Sequence, residues 1–252
     1  MTTRSRSSPV THSSNNVLVL LPPSETKVSG GSGTLSLASL GFPGLASGRS
    51  AALDAVAALV AAGQDESSPA KARAAAANRH VRDSGTLPAI ERYTGVLFDG
   101  LGYSELDADA QAWVREHVAI GSALFGLVRA SDGIPDYKIS HNTKLPGTTL
   151  GRIWRRHSPL ELPGMVVDTR SKSYASLLPV KGAIPLEVVD EGGRALAHWN
   201  KHGKGRLVRD LALAGVQASE PEDFAERARR SGANLAFDGA SLTLVTEAVA
   251  NR

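Results

Sequence analysis

The chain has 252 residues, is 42% hydrophobic and carries a formal net charge of +3. That length suffices for a sizeable core in one large domain or two small ones, and the mild basic excess suits nucleic acid or anionic ligands without demanding them. With no cysteine, disulfides, thiolate metal sites and thiol-based peroxide chemistry are excluded.

Residues 1–16 are rich in Ser, Thr and Asn and lack an apolar signal core. They are expected to be a disordered tail, and residues 17–252 a single domain. No run of 18 or more apolar residues occurs, so no membrane span is expected and the chain is placed in the cytoplasm.

The first ordered element is VLVLL, residues 17–21, an unbroken apolar run that reads as a buried strand. Pro22 and Pro23 end its ladder. Ser24, Glu25 and Lys27 follow, at the carboxyl end of a central strand, where open sheets hold their ligands. Glu25 and Lys27 can serve as an acid–base pair or an anion hook; the alternative is a surface ion pair of little weight.

A loose Gly/Ser-rich stretch spans 28–50. Helices are expected over 50–62, capped by Gly63, and over 70–82. Two short helical pieces within 87–103 flank a tight approach at Tyr93-Thr94-Gly95. Residues 107–117 form a helix with acids at its start and a basic end. Residues 118–128 read as a buried strand with a turn at Gly126. Tyr137–Ser140 resumes an extended segment after a turn at Asp132–Pro135.

Residues 148–157 form a short basic helix after Leu145-Pro146-Gly147. A Leu-Pro-Gly hairpin ahead of such a helix is similar to a helix-hairpin-helix element, whose backbone amides grip a DNA phosphate. Gly147, Arg152, Arg155 and Arg156 would be its DNA-facing residues; an ordinary turn and amphipathic helix with Ile153 and Trp154 packed inward is the alternative. Residues 165–168 make a second buried strand, followed by Arg170, Ser171 and Tyr174. Arg170 offers a bidentate fork for a carboxylate or phosphate, or else pairs with Asp168.

Residues 184–190 and 194–199 read as a hairpin turning at Glu191–Gly193. His198 to Arg209 (HWNKHGKGRLVR) then puts four cations in nine positions, Lys201 to Arg209. Gly203 and Gly205 are expected in a turn that opens a helix over 203–214. Together with Lys204 and Arg206 they suit a polyanion. A helix over 221–231 and a hairpin of 233–237 with 241–247 complete the chain. The fold expected is mixed α/β, with a central sheet of irregular topology.

Beside the plainer option of a scaffold or partner-binding protein whose basic residues are only solvated, two function classes stay open. One is a binder of DNA phosphate. The other is an enzyme on an anionic, nucleotide-like, phosphorylated or carboxylated metabolite, with Lys27, Glu25, Tyr174, His198 and Lys201 as its acid–base groups and Ser24, Arg170, Ser171, Lys204, Gly205 and Arg206 holding the anion. The seven histidines show no metal-ligand spacing on a helix, so no metal or other cofactor is expected. There is no G-x-S-x-G nucleophile elbow.

Five stretches, LLPPSETK (20–27), YTGVLFDGL (93–101), SALFGLVRASDGIPDYKIS (122–140), VVDTRSKSYASLLP (166–179) and HWNKHGKGRLVRDL (198–211), occur in order. Together they resemble the YaaA-like family of peroxide stress resistance proteins. The resemblance implies a cytoplasmic bacterial protein of mixed α/β fold with a positively charged cleft, a helix-hairpin-helix-like element and DNA binding. It also implies a role in limiting hydrogen peroxide damage, linked to control of free intracellular iron. The chain departs from that pattern in LPGTTLGRIW, which is shorter and threonine-rich.

Overall fold

The computed structural model describes residues 16–194 and 199–246. Of the segments read from the sequence, the tail up to Asn15, His198 and the end of the last hairpin lie outside the described residues. The strands are β1 (Leu18–Leu21), β2 (Leu87–Pro88), β3 (Val118–Ser122), β4 (Gly126–Arg129), β5 (Gly133–Ile134), β6 (Val166–Asp168), β7 (Ile184–Val189), β8 (Leu235–Phe237) and β9 (Leu242–Val245). The helices are α1 (Ala46–Ala61), α2 (Pro69–Arg79), α3 (Ala89–Arg92), α4 (Val96–Leu101), α5 (Ala108–His117), α6 (Leu150–Trp154), α7 (Lys172–Leu177), α8 (Trp199–Leu213) and α9 (Pro221–Arg230).

Seven strands form one sheet in the order β4-β3-β1-β6-β7-β9-β8. Strands β3, β1, β6, β7 and β9 run parallel, and β4 and β8 close the two edges antiparallel. This is the mixed α/β architecture expected. β1 is buried along its whole length, as a central parallel strand covered on both faces must be. β3 lies on one side of β1 and β6 on the other. The chain thus reverses its direction of travel across the sheet at β1, and ligand crevices open beyond the carboxyl ends of strands at such a reversal. Leu20 stands opposite Asp168 in the ladder, so the loops leaving β1 and β6 emerge side by side.

Several sequence expectations need correction. Of the hairpin expected from 184–190 and 194–199, residues 195–198 of the second strand lie outside the described residues. β7 is bonded in parallel to β6 on one edge, at Ile184 and Pro185, and to β9 on the other. The turn does exist, closed by Asp190 N–H to Arg194 O at 2.9 Å, but Trp199 already begins α8.

Gly203 and Gly205 therefore lie inside a helix rather than in a turn before it. The reason is packing. A Cβ on Gly205 would stand 2.0 Å from Leu97 O and 2.8 Å from Leu101 N, and one on Gly100 would stand 2.8 Å from His202 O. α4 and α8 cross backbone against backbone, and only glycine fits there.

The Leu-Pro-Gly turn is present, with Leu145 bridged to Thr148. However, no helix lies between β5 and this turn, so the helix-hairpin-helix arrangement is not formed. The turn instead leads directly into α6, whose Ile153 and Trp154 are buried. α1 begins at Ala46, earlier than expected, behind a 3-10 turn at Pro43–Leu45. Residues 43–61 are long and apolar enough to cross a membrane by length and composition alone. In the fold this stretch packs into the core, where its fully buried Arg49 donates to Phe125 O at 3.1 Å and Leu127 O at 2.7 Å.

The helix crossing yields a direct test. Gly205→Ala should cost about 1–3 kcal/mol in urea unfolding through the clash with α4, although alanine is the better helix former by about 1 kcal/mol. Gly151→Ala on α6 meets nothing closer than Thr149 Oγ1 at 4.0 Å and should be neutral or stabilising. Equal effects at the two positions would contradict the crossing.

Candidate functional site

The loop leaving β1 is fastened before it can serve as a wall. Lys27 forms an antiparallel bridge with Tyr93. Thr94 N–H donates to Thr26 O at 3.2 Å and Val28 N–H to Arg92 O at 2.9 Å. Buried Arg92 donates to the carbonyls of Val28, Gly30, Gly85 and Ile134. Thr26 Oγ1 donates to Thr94 O at 3.2 Å and lies 3.1 Å from Ser24 Oγ. Gly95 has φ +100, and a Cβ there would lie 3.3 Å from Thr26 Oγ1 and 3.4 Å from Ser24 Oγ. Glycine at 95 lets the loop and the start of α4 close on each other.

Lys27 is the chemical centre of this wall. Its ammonium lies 4.1 Å from the Tyr137 ring centroid and 5.3 Å from that of Tyr93. It donates to Ser24 O at 3.3 Å. Among the described residues no carboxylate oxygen lies within 4.0 Å of it. Burial lowers its pKa from 10.5 to about 8; Asp136 and Glu25 pull it up, and Lys138 and Arg92 push it down. Beneath it, Tyr137 OH is 2.6 Å from Tyr93 OH and 2.7 Å from Ser122 Oγ, which accepts Phe125 N–H at 2.9 Å. Burial raises the pKa of both tyrosines, so this chain of hydroxyls stays protonated and uncharged under Lys27.

The opposite walls come from the end of β6 and from α8. Ser171 stands at the start of α7 and Tyr174 within it. The Tyr174 ring meets His141 edge-on, with centroids 5.3 Å apart. α8 contributes Asn200, Lys201 and Lys204, which share a face because residues three and four apart on a helix are neighbours. Lys204 is buried, and that burial lowers its pKa to about 8 against the pull of Asp168 and Glu187. Among the described residues Asn200 Oδ1 is buried without a hydrogen-bond partner.

These walls enclose a cleft of about 670 Å³. Among the described residues, Lys27, Lys138, Lys201 and Lys204 line it against a single carboxylate, Glu25. Glu25 is exposed and engaged with Lys138, whose amine donates to Glu25 O at 2.9 Å and lies 3.9 Å from Oε2. No group of three or more metal-ligating side chains occurs among the described residues.

Seven of the sequence-predicted residues meet at this cleft: Ser24, Glu25, Lys27, Ser171, Tyr174, Lys201 and Lys204. Arg170 does not line it. Its fork holds Asp168 at 2.9 and 2.7 Å, and Nη1 donates to Leu178 O at 3.1 Å, which is the structural pairing that the sequence left open. Gly205 faces α4. Arg206 is exposed and lies 3.7 Å from Asp210. Gly147, Arg152, Arg155 and Arg156 are exposed and lie outside the cleft lining. The sequence reading missed Tyr93, Tyr137, Lys138 and His141. Each sits in a loop or apolar segment where only the fold reveals its neighbours.

Lys27 makes a stability prediction whose sign is fixed by its lowered pKa. Below pH 8 both folded and unfolded states hold the proton, and the fold bears the full cost of desolvating the charge. Between pH 8 and 10.5 the unfolded state binds more protons, so stability rises with pH. Lys27→Met should therefore be more stable than the parent at pH 7, by about 1–3 kcal/mol in denaturant unfolding. The gap should close between pH 8 and 10.5, whereas a gap independent of pH would contradict the account.

Comparison with known proteins adds a relationship. Residues 17–235 match the profile of the family described as peroxide stress protein YaaA. The chain is 39% identical over 251 residues to a UPF0246 protein of Corynebacterium efficiens, across 91% of this chain and 100% of the relative. A UPF0246 protein of Corynebacterium glutamicum is 38% identical over 86% of the chain and 93% of its own length. One from Streptomyces coelicolor is 35% identical over 86% and 90%.

Proposed function

We propose, for a chain that belongs to the peroxide stress protein YaaA family, that it acts in the hydrogen peroxide response by binding an anion in the basic cleft. The observation that carries this reading is the imbalance of the lining, four lysines against one glutamate at the carboxyl edge of a largely parallel sheet. Partly enclosed cations act through a lower dielectric than water and hold phosphate or carboxylate oxygens with charge-assisted hydrogen bonds. Lys201 and Lys204 supply that hold from one helix face. The size of the cleft fits a metabolite, and a cytoplasmic setting with a link to free iron accompanies the family reading.

An enzymatic reading has its own support. Two lysine amines with pKa values of about 8 are poised to exchange protons near neutral pH, where lysine ordinarily cannot. A DNA-phosphate reading rests on different residues, since Gly147, Arg152, Arg155 and Arg156 stand apart from the cleft lining.

Titration calorimetry with inorganic pyrophosphate at low salt tests the proposal. Binding should weaken about tenfold in Lys201→Ala, the weight of one charge-assisted contact of about 1.4 kcal/mol, and further in Lys201→Ala/Lys204→Ala. Undiminished binding in the double variant would sink the cleft as the anion site. In a parallel arm with duplex DNA, loss of binding in an Arg152/Arg155/Arg156→Ala variant but not in the lysine variants would assign DNA to the α6 surface.

A further inference from the structure

We propose that Lys27 is a carbonyl-capturing nucleophile, forming a Schiff base with a small anionic aldehyde or ketone bound in the cleft. This rests on the anion-binding reading above and names the chemistry of that anion.

The geometry singles out Lys27 among the four lysines. Lys138 is engaged with Glu25, Lys201 is exposed, and Lys204 is buried near Asp168 and Glu187, whose charge favours its cationic form. Lys27 is half-buried on the cleft wall and rests on an aromatic face. Among the described residues its one hydrogen bond goes to a backbone carbonyl, which leaves the amine lone pair free in the deprotonated form. The hydroxyl chain below it is neutral and already satisfied, so it neither pins the ammonium as a carboxylate would nor competes for it. The desolvation that depresses its pKa makes the neutral amine available near neutral pH, the usual route by which lysine is activated toward carbonyls.

Lys201 and Lys204 then hold the carboxylate or phosphate of the incoming molecule, and its carbonyl faces Lys27. In the step, the amine nitrogen bonds to the carbonyl carbon. Both amine protons pass to the carbonyl oxygen, the carbon–oxygen bond breaks, and water leaves behind a C=N bond. No oxidant or reductant is consumed. The exposed mouth of the cleft lets the water depart. Tyr174, half-buried on the facing wall, is placed among the groups that can relay a proton to the departing oxygen.

The test is reductive trapping. The full chain is incubated at neutral pH with glyoxylate, pyruvate or ribose 5-phosphate, reduced with borohydride and mapped by peptide mass spectrometry. The expected result is an adduct concentrated on Lys27 with at least one probe. It should be suppressed by inorganic pyrophosphate and lost in Lys27→Arg, a variant that keeps the cation and whose folding is checked by thermal unfolding. Lys27→Met, which should be more stable than the parent, gives the same loss with the fold secured. An adduct spread over surface lysines, one centred on Lys204, or none with any probe would overturn the proposal. Pyrophosphate binding that persists without trapping at Lys27 removes the nucleophile and leaves the anion site standing, whereas loss of both removes both.

Discussion

The arrangement of this protein depends on the contact between α4 and α8, where Gly205 takes the place of a side chain against the backbone of Leu97 to Leu101. Any larger residue would separate the two helices. With the helices in contact, the first turns of α8 reach over the carboxyl edge of the sheet. Lys201 and Lys204 then face the loop that leaves β1, which is itself bridged to Tyr93 just ahead of α4. Both walls of the cleft are thus referred to the same short helix, and their separation is set by a backbone contact rather than by flexible side chains.

That rigidity is what makes the charge distribution tolerable. Among the described residues four lysines line a cleft with one glutamate; Lys27 and Lys204 are substantially desolvated, and Lys138 pushes further against the charge on Lys27. A surface would relieve this by letting the side chains swing into water. Here Lys27 is held over the Tyr137 ring and Lys204 is buried in α8, so the cost remains in the structure. Strain of this kind concentrates where a ligand relieves it. An anion bound between these amines would add to the countercharge that Asp136 and Glu25 give Lys27 and that Asp168 and Glu187 give Lys204.

How far the sequence disclosed this varied with the kind of interaction. β1 and β6 were legible because central parallel strands must be continuously apolar, and the polar residues after each strand followed from the rule that ligands gather at that edge. Ser24, Glu25, Lys27, Ser171 and Tyr174 meet there for that reason, and Lys201 and Lys204 join them from α8. The glycines of HGKGR were misread as a turn because local sequence cannot tell a glycine chosen for its backbone freedom from one chosen for its lack of volume; only the partner helix decides. Arg170 offered the same fork to a ligand or to Asp168, two residues before it, and the short-range partner won. Tyr93 and Tyr137 are separated by 44 residues, and nothing in either segment signals that their hydroxyls meet beneath Lys27.

The central claim is that the cleft is an anion site whose Lys27 and Lys204 are desolvated and, among the described residues, form no ion pair when it is empty. Heteronuclear NMR titration of the lysine side-chain amines tests it most directly, followed with and without inorganic pyrophosphate. Lys27 and Lys204 should titrate near pH 8 in the free protein and move toward the ordinary lysine value when the anion binds, because an opposite charge favours the protonated form. Midpoints near 10.5 in the free protein, or midpoints near 8 that pyrophosphate leaves unmoved, would contradict it.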